Sequence, residues 1–173
     1  MARDLHVEKV PSGPPAPGCR IEIPKSSGLV IFGASGDLTR RKLIPAIYRL
    51  FRQRLLPSGF FVLGVARSEM DSIRFRELMA EGLRESFPEE CDETCWQNFS
   101  ALLHYRTIDY RDPESFRENL VAALPPLEES SGTGGNRIFY IATPPGAYED
   151  IISTLHHAGL TSRNGAAVKL VIE

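Results

Sequence analysis

From Gly28 onward, short apolar runs alternate with amphipathic stretches. The apolar runs at 28–33, 60–66, 103–108, 137–142 and 168–172 have the length of buried strands. Between them, polar and apolar positions recur at helical spacing over 37–54, 71–86, 113–123 and 147–158. A further helix is predicted near 90–101, where Trp96, Phe99, Leu102 and Leu103 gather around the end. In the first helix Leu43, Ile47, Leu50 and Phe51 share one apolar face; Pro45 sits inside it and predicts a kink or a cost of about 3 kcal/mol. Strands alternating with helices make an α/β, Rossmann-like, doubly wound and mainly parallel sheet. Right-handed crossovers put the first strand in the middle, and strand order 3-2-1-4-5 follows by analogy of fold. Glu128 to Gly135 reads as a surface loop leading into the fourth strand. Residues 1–27, rich in Pro, Gly and Ser, read as a flexible leader, and 28–173 as one domain.

The chemistry gathers where the first strand ends. Leu29-Val30-Ile31-Phe32 runs into Gly33-Ala34-Ser35-Gly36, and a helix opens at Asp37-Leu38-Thr39-Arg40-Arg41-Lys42. This order builds a phosphate site. Gly33 permits the sharp turn. Gly36 has no side chain, so a pyrophosphate can come close, and a positive φ is expected there as well. Free amides at the helix start, with the dipole behind them, then point at the anion. Ser35, Leu38, Thr39 and Arg40 offer backbone amides, and Ser35 and Thr39 add hydroxyls. Asp37 suits an N-cap, with direct ligand contact as the alternative. The spacing is G-x-x-G-D, not the commoner G-x-G-x-x-G.

The end of the second strand selects between coenzymes. NAD sites usually carry Asp or Glu there to bind the ribose 2′-hydroxyl. Here the strand ends Val65-Ala66-Arg67-Ser68, with no acid before Glu69. A guanidinium pairs with a 2′-phosphate through two parallel hydrogen bonds, which favours NADP over NAD.

Composition removes other classes. The chain has 173 residues, 42% hydrophobic and 24% charged, with net charge −2. No basic stripe with interleaved aromatics suits nucleic acid. No apolar run is long enough to span a bilayer, and the N-terminus lacks a signal-peptide core. Three unpatterned cysteines suit the reducing cytoplasm. Cys91 and Cys95 would share a helix face, but with no histidine at ligand spacing they read as plain thiols, not a metal site. His104, His156 and His157 read as structural.

Four blocks in register carry a resemblance: the glycine turn, Val65-Ala66-Arg67-Ser68, Arg137-Ile138-Phe139-Tyr140-Ile141-Ala142-Thr143-Pro144-Pro145 with Tyr148, and Leu170-Val171-Ile172-Glu173. From Gly28 onward the chain resembles the N-terminal coenzyme domain of the glucose-6-phosphate dehydrogenase family. The resemblance implies that NADP is bound by the stretch from Gly33 to Arg40, with Arg67 and Ser68. Pro144 and Tyr148 would flank the nicotinamide, or else the prolines merely start the next helix and Tyr148 packs on it, while Lys42 would lie where coenzyme and sugar meet or else be a solvated helix charge. Thr143 stands where some relatives carry an apolar residue.

The implied reaction oxidises glucose 6-phosphate at C1 to a lactone, in a full-length enzyme expected to be a homo-oligomer. The family's catalytic histidine and its supporting aspartate match nothing here, and the family's phosphate-holding lysine would come one position after Glu173. No catalytic residue is therefore assigned in this chain. A short-chain reductase can also begin Gly-Ala-Ser-Gly, but it needs Tyr-x-x-x-Lys, and Tyr48 and Tyr148 are followed at that spacing by Arg52 and Ile152. A dehydrogenase of unphosphorylated sugars or cyclitols is disfavoured by Arg67-Ser68 and the basic run after Asp37. A free-standing NADP-binding module without catalysis stays open.

Overall fold

A computed structural model describes residues 23–90, 92–161 and 165–173. Five parallel strands form one sheet: β1 (Ser27–Phe32), β2 (Phe60–Ala66), β3 (Leu103–Thr107), β4 (Arg137–Ile141) and β5 (Val168–Ile172). Their order is β3-β2-β1-β4-β5, as the alternation of strands and helices predicts. Every residue of β2 is buried, because helices cover both faces of the sheet. Phe32 of β1 pairs with Val65 of β2 and Ile141 of β4, so three strand tips end level.

The helices are α1 (Ile44–Arg52), α2 (Ser72–Ser86), α3 (Glu93–Ser100), α4 (Pro113–Phe116), α5 (Leu124–Ser131) and α6 (Tyr148–His157). Residues from α1, α2 and α3, among them Tyr48, Phe75, Met79 and Phe99, form a core with Ile31 and Val62. On the opposite face Phe116, Leu124, Ile151 and Leu155 pack on Phe32, Leu63 and Phe139. Asp71, Asp92 and Asp112 cap α2, α3 and α4 by accepting an amide of the first turn.

Two expectations need correction. The first helix runs from 37 to 52, but Thr39–Leu43 is π-helical. Pro45 is the cause. It has no N–H, and its ring would collide with the Arg41 carbonyl in a regular helix. The wider turn, in which the Ile44 amide donates to the Thr39 carbonyl, makes room. The Arg41 carbonyl accepts weakly from the Ser86 hydroxyl at 3.4 Å. The second correction concerns Glu128 to Gly135. Residues through Ser131 belong to α5, which opens on Pro125 and Pro126 in its first turn, where a fixed φ helps. Glu128 lies inside, 5% exposed, in a double ion pair with Arg137, 6% exposed.

Smaller differences fall at boundaries: β1 stops before Gly33, β3 before Ile108 and β4 before Ala142. Cys91 and residues 1–22 of the expected leader lie outside the described residues. Cys95 is a partly buried free thiol. Among the described residues no helix is long and apolar enough to cross a membrane, and no group of His, Cys, Asp and Glu is placed to hold a metal.

Candidate functional site

The tips of β2, β1 and β4 meet at the point where the chain changes direction across the sheet, the usual place for a ligand in an open α/β fold. Gly33 follows β1 with φ of 81°, a conformation that favours glycine. A Cβ there would also lie 2.4 Å from the Ala142 carbonyl oxygen. Gly36 does not share the positive φ expected of it; a Cβ on Gly36 would instead stand 3.1 Å from the Gly33 carbonyl. The conformational demand therefore falls on Gly33, and Gly36 keeps the turn thin. Ala34 is fully buried and its amide donates to the Val65 carbonyl at 3.2 Å. It locks the turn to β2.

Beyond the turn, the amides divide into used and free. Gly36 donates to the Gly33 carbonyl at 2.9 Å and Arg40 to the Gly36 carbonyl at 3.1 Å. Among the described residues, the amides of Ser35, Asp37, Leu38 and Thr39 meet no acceptor. Four free donors at a helix start are the arrangement an anion would meet. Asp37 is no N-cap: it sits within the helix, with its carboxylate 2.7 Å from Arg41 and 4.0 Å from Arg40.

Two predicted donors are occupied elsewhere. The Thr39 hydroxyl is buried and donates to the Gly33 carbonyl at 3.3 Å, so only its amide faces the ligand side. The Arg40 guanidinium, 18% exposed, pairs with Glu85 on α2 at 3.1 Å. Its amide is used as well, so in this structure Arg40 leaves no free donor at the glycine turn. Lys42 is solvent-exposed on the outer side of the π-helical stretch.

Ser35 and Ser68 bring the first and second strand tips together, hydroxyl to hydroxyl at 3.0 Å. Arg67 is exposed beside them and, among the described residues, has no ion-pair partner. Its charge reaches the Tyr110 hydroxyl, which burial otherwise pushes up in pKa. Sequence reasoning missed this tyrosine. The Gly33 amide donates to the Tyr110 oxygen at 2.9 Å, and the Tyr110 hydroxyl donates to the Val65 carbonyl at 3.1 Å. Tyr105 supports the β2 tip in the same way, donating to the Ser68 carbonyl at 2.7 Å; burial pushes its pKa up to about 12. Thr107, two residues on and on the same face, donates to that carbonyl at 3.2 Å. Period-two spacing across the end of a buried strand was the available signal.

At β4, Thr143 and Pro144 follow the strand tip against Gly33, with the Thr143 methyl carbon 3.1 Å from where a Gly33 Cβ would be. The Thr143 hydroxyl is closed off from solvent and has no hydrogen-bond partner. Tyr148 stands further out, its hydroxyl donating to the Glu173 carbonyl at the tip of β5. It is not drawn to the glycine turn. The three described histidines lie at the other end of the sheet. His104 is on the second residue of β3, held below the ordinary histidine pKa by burial and by Arg76 and Arg106. His156 and His157 end α6.

Free amides, a thin glycine turn, an orphaned buried hydroxyl and an unpaired guanidinium fit a dinucleotide carrying an extra phosphate. Two cavities lie elsewhere, one along α2 and α3 near Ile73 and Trp96, the other between Arg54, Phe60 and Cys95. The glycine turn and the strand tips lie outside both.

Comparison with known proteins agrees with this geometry. Residues 30–173 match the family model for the NAD binding domain of glucose-6-phosphate dehydrogenase. Glucose-6-phosphate 1-dehydrogenase of Aggregatibacter actinomycetemcomitans is 39% identical over 145 residues, which is 84% of this chain and 29% of that protein. The enzyme of Treponema pallidum is 39% identical over 146 residues, 84% of this chain and 28% of that one. A solved glucose-6-phosphate dehydrogenase in complex with its substrate glucose-6-phosphate superposes with a TM-score of 0.73 at 26% identity, covering 84% of this chain and 30% of that chain. The Mycobacterium avium enzyme gives 0.68 at 27% identity, covering 84% and 29%. The chain thus spans under a third of the length of these relatives. With the family model matched from β1 to the last residue, the chain belongs to the glucose-6-phosphate dehydrogenase family, as its NAD-binding domain.

Proposed function

We propose that this chain is the coenzyme-binding domain of an NADP-dependent glucose-6-phosphate dehydrogenase, with 28–173 as the domain and further chain supplying the sugar site and the base. The observation that carries the choice of NADP is Arg67: an exposed, unpaired guanidinium at the β2 tip, beside the Ser35–Ser68 hydroxyl pair, with no carboxylate in the usual ribose position. The amides of Ser35, Asp37, Leu38 and Thr39 would hold the pyrophosphate, with Gly33, Ala34 and Gly36 shaping the turn. Pro144 keeps the β4 exit rigid beside it. Tyr148 and Lys42 are assigned to the outer edge of the coenzyme groove, toward the sugar. When bound, the nicotinamide would supply the acceptor for the hydride on C1 of glucose 6-phosphate, whose C1 hydroxyl gives its proton to a base outside the residues named here. The residues named here bind and orient, and none of them is placed to take the proton. The full-length enzyme is assigned to the cytoplasm as a homo-oligomer.

Calorimetric titration of NADP⁺ and NAD⁺ into wild type and Arg67→Ala tests the assignment. A charge-assisted bond is worth about 1.5–3 kcal/mol, so wild type should prefer NADP⁺ by about ten- to a hundred-fold. The alanine variant should lose that preference and keep its NAD⁺ affinity. An unchanged preference in the variant removes Arg67 from the site.

A further inference from the structure

The Thr143 hydroxyl is an anomaly. Its oxygen is shut away from solvent and no protein group pairs with it. Buried polar atoms are almost always hydrogen-bonded, and one left alone is a cost that something must offset. The residue sits two positions after β4, at the switch point, where the Ala142 amide donates to the Phe32 carbonyl at 2.9 Å and ties the two strand tips together. Its methyl carbon, not its hydroxyl, faces Gly33. A 120° turn about χ1 brings the hydroxyl to the methyl's place on the Gly33 side and moves the methyl to the third staggered position. The Gly33 amide already donates to Tyr110 and Val65 and the Gly33 carbonyl accepts from Gly36 and Thr39, which leaves the adjoining Ala142 carbonyl as the other backbone acceptor on that side. Beyond that carbonyl of the preceding residue, a ligand phosphate or ribose oxygen is the partner such a hydroxyl would meet.

We infer that Thr143 is a coenzyme-positioning residue, whose hydroxyl is unsatisfied in the free protein and pairs with the phosphate–ribose part of the bound dinucleotide. The inference rests on the coenzyme assignment above. Thr133 provides an internal control. Its hydroxyl is equally buried and unpaired, but it precedes β4 at the opposite end of the sheet.

The test titrates NADP⁺ into the full 173-residue chain as wild type, Thr143→Val, Thr143→Ser and Thr133→Val, with melting curves of each free protein. Thr143→Val should bind about three- to ten-fold more weakly while melting at or above the wild-type temperature, since it removes an unpaired polar group. Thr143→Ser should bind within about two-fold of wild type, and Thr133→Val should bind as wild type does. Wild-type affinity in Thr143→Val overturns the inference. So does a loss of affinity accompanied by a lower melting temperature, which would mark a structural hydroxyl. If wild type itself does not take up NADP⁺, the coenzyme assignment falls and this inference with it; if wild type binds and Thr143→Val is unaffected, only this inference falls.

Discussion

At the scale of single residues, the glycine turn is held by a side chain that no motif contains. Tyr110 accepts from the Gly33 amide and donates to the Val65 carbonyl, so one hydroxyl fixes the first strand tip against the second. Val65 also accepts from the Gly33 and Ala34 amides, and the turn survives without the tyrosine oxygen, only more loosely. Tyr110→Phe should therefore cost about 1–2 kcal/mol of stability in urea denaturation. Coenzyme affinity should fall in the same variant, because the free amides are presented by a less fixed loop. Unchanged stability and affinity would show that the hydroxyl is incidental. The residue scale is also where the sequence was least legible. Gly33, Ser35, Gly36 and Arg67 announce themselves by type and spacing. That Thr39 spends its hydroxyl inward, and Arg40 its charge on Glu85, depends on groups 6 and 45 residues away along the chain.

At the scale of elements, the five strands and most helices were legible because each is a run of one periodicity with a clear stop. The exception is α5. Its sequence Leu-Pro-Pro-Leu-Glu-Glu-Ser-Ser has two prolines and little helical pattern, so local signals favoured a loop. The partner that makes it a helix, Arg137, belongs to β4. This pair ties α5 to the start of the strand whose far tip carries Thr143. Glu128→Ala strands a buried guanidinium and should cost about 3–5 kcal/mol, measured by denaturant titration. Replacing both partners, as Glu128→Leu with Arg137→Met, should bring stability back to near wild type. If the single variant is no less stable than the double, the pair is not what holds α5 in place.

At the scale of the whole molecule, the sheet delivers one end of three strands to a coenzyme and leaves the described histidines at the other. Oxidation of an alcohol needs a base at the hydroxyl and a seat that aligns the substrate. Neither is provided at the strand tips. The chain by itself should bind coenzyme and leave glucose 6-phosphate unoxidised, since general-base catalysis alone is worth about a hundred- to ten-thousand-fold. Absorbance of reduced nicotinamide at high NADP⁺ and sugar phosphate checks this. Turnover that purifies with the chain and vanishes in Gly36→Val would reveal a catalytic group at these tips.

The π-helical stretch at Thr39–Leu43 has a consequence for how this sequence can drift. Pro45 widens the turn, and the Arg40 carbonyl comes to rest where α2 must pass; a Cβ on Gly82 would lie 2.6 Å from that oxygen. As long as the Arg40 backbone holds this place, position 82 has no room for a side chain.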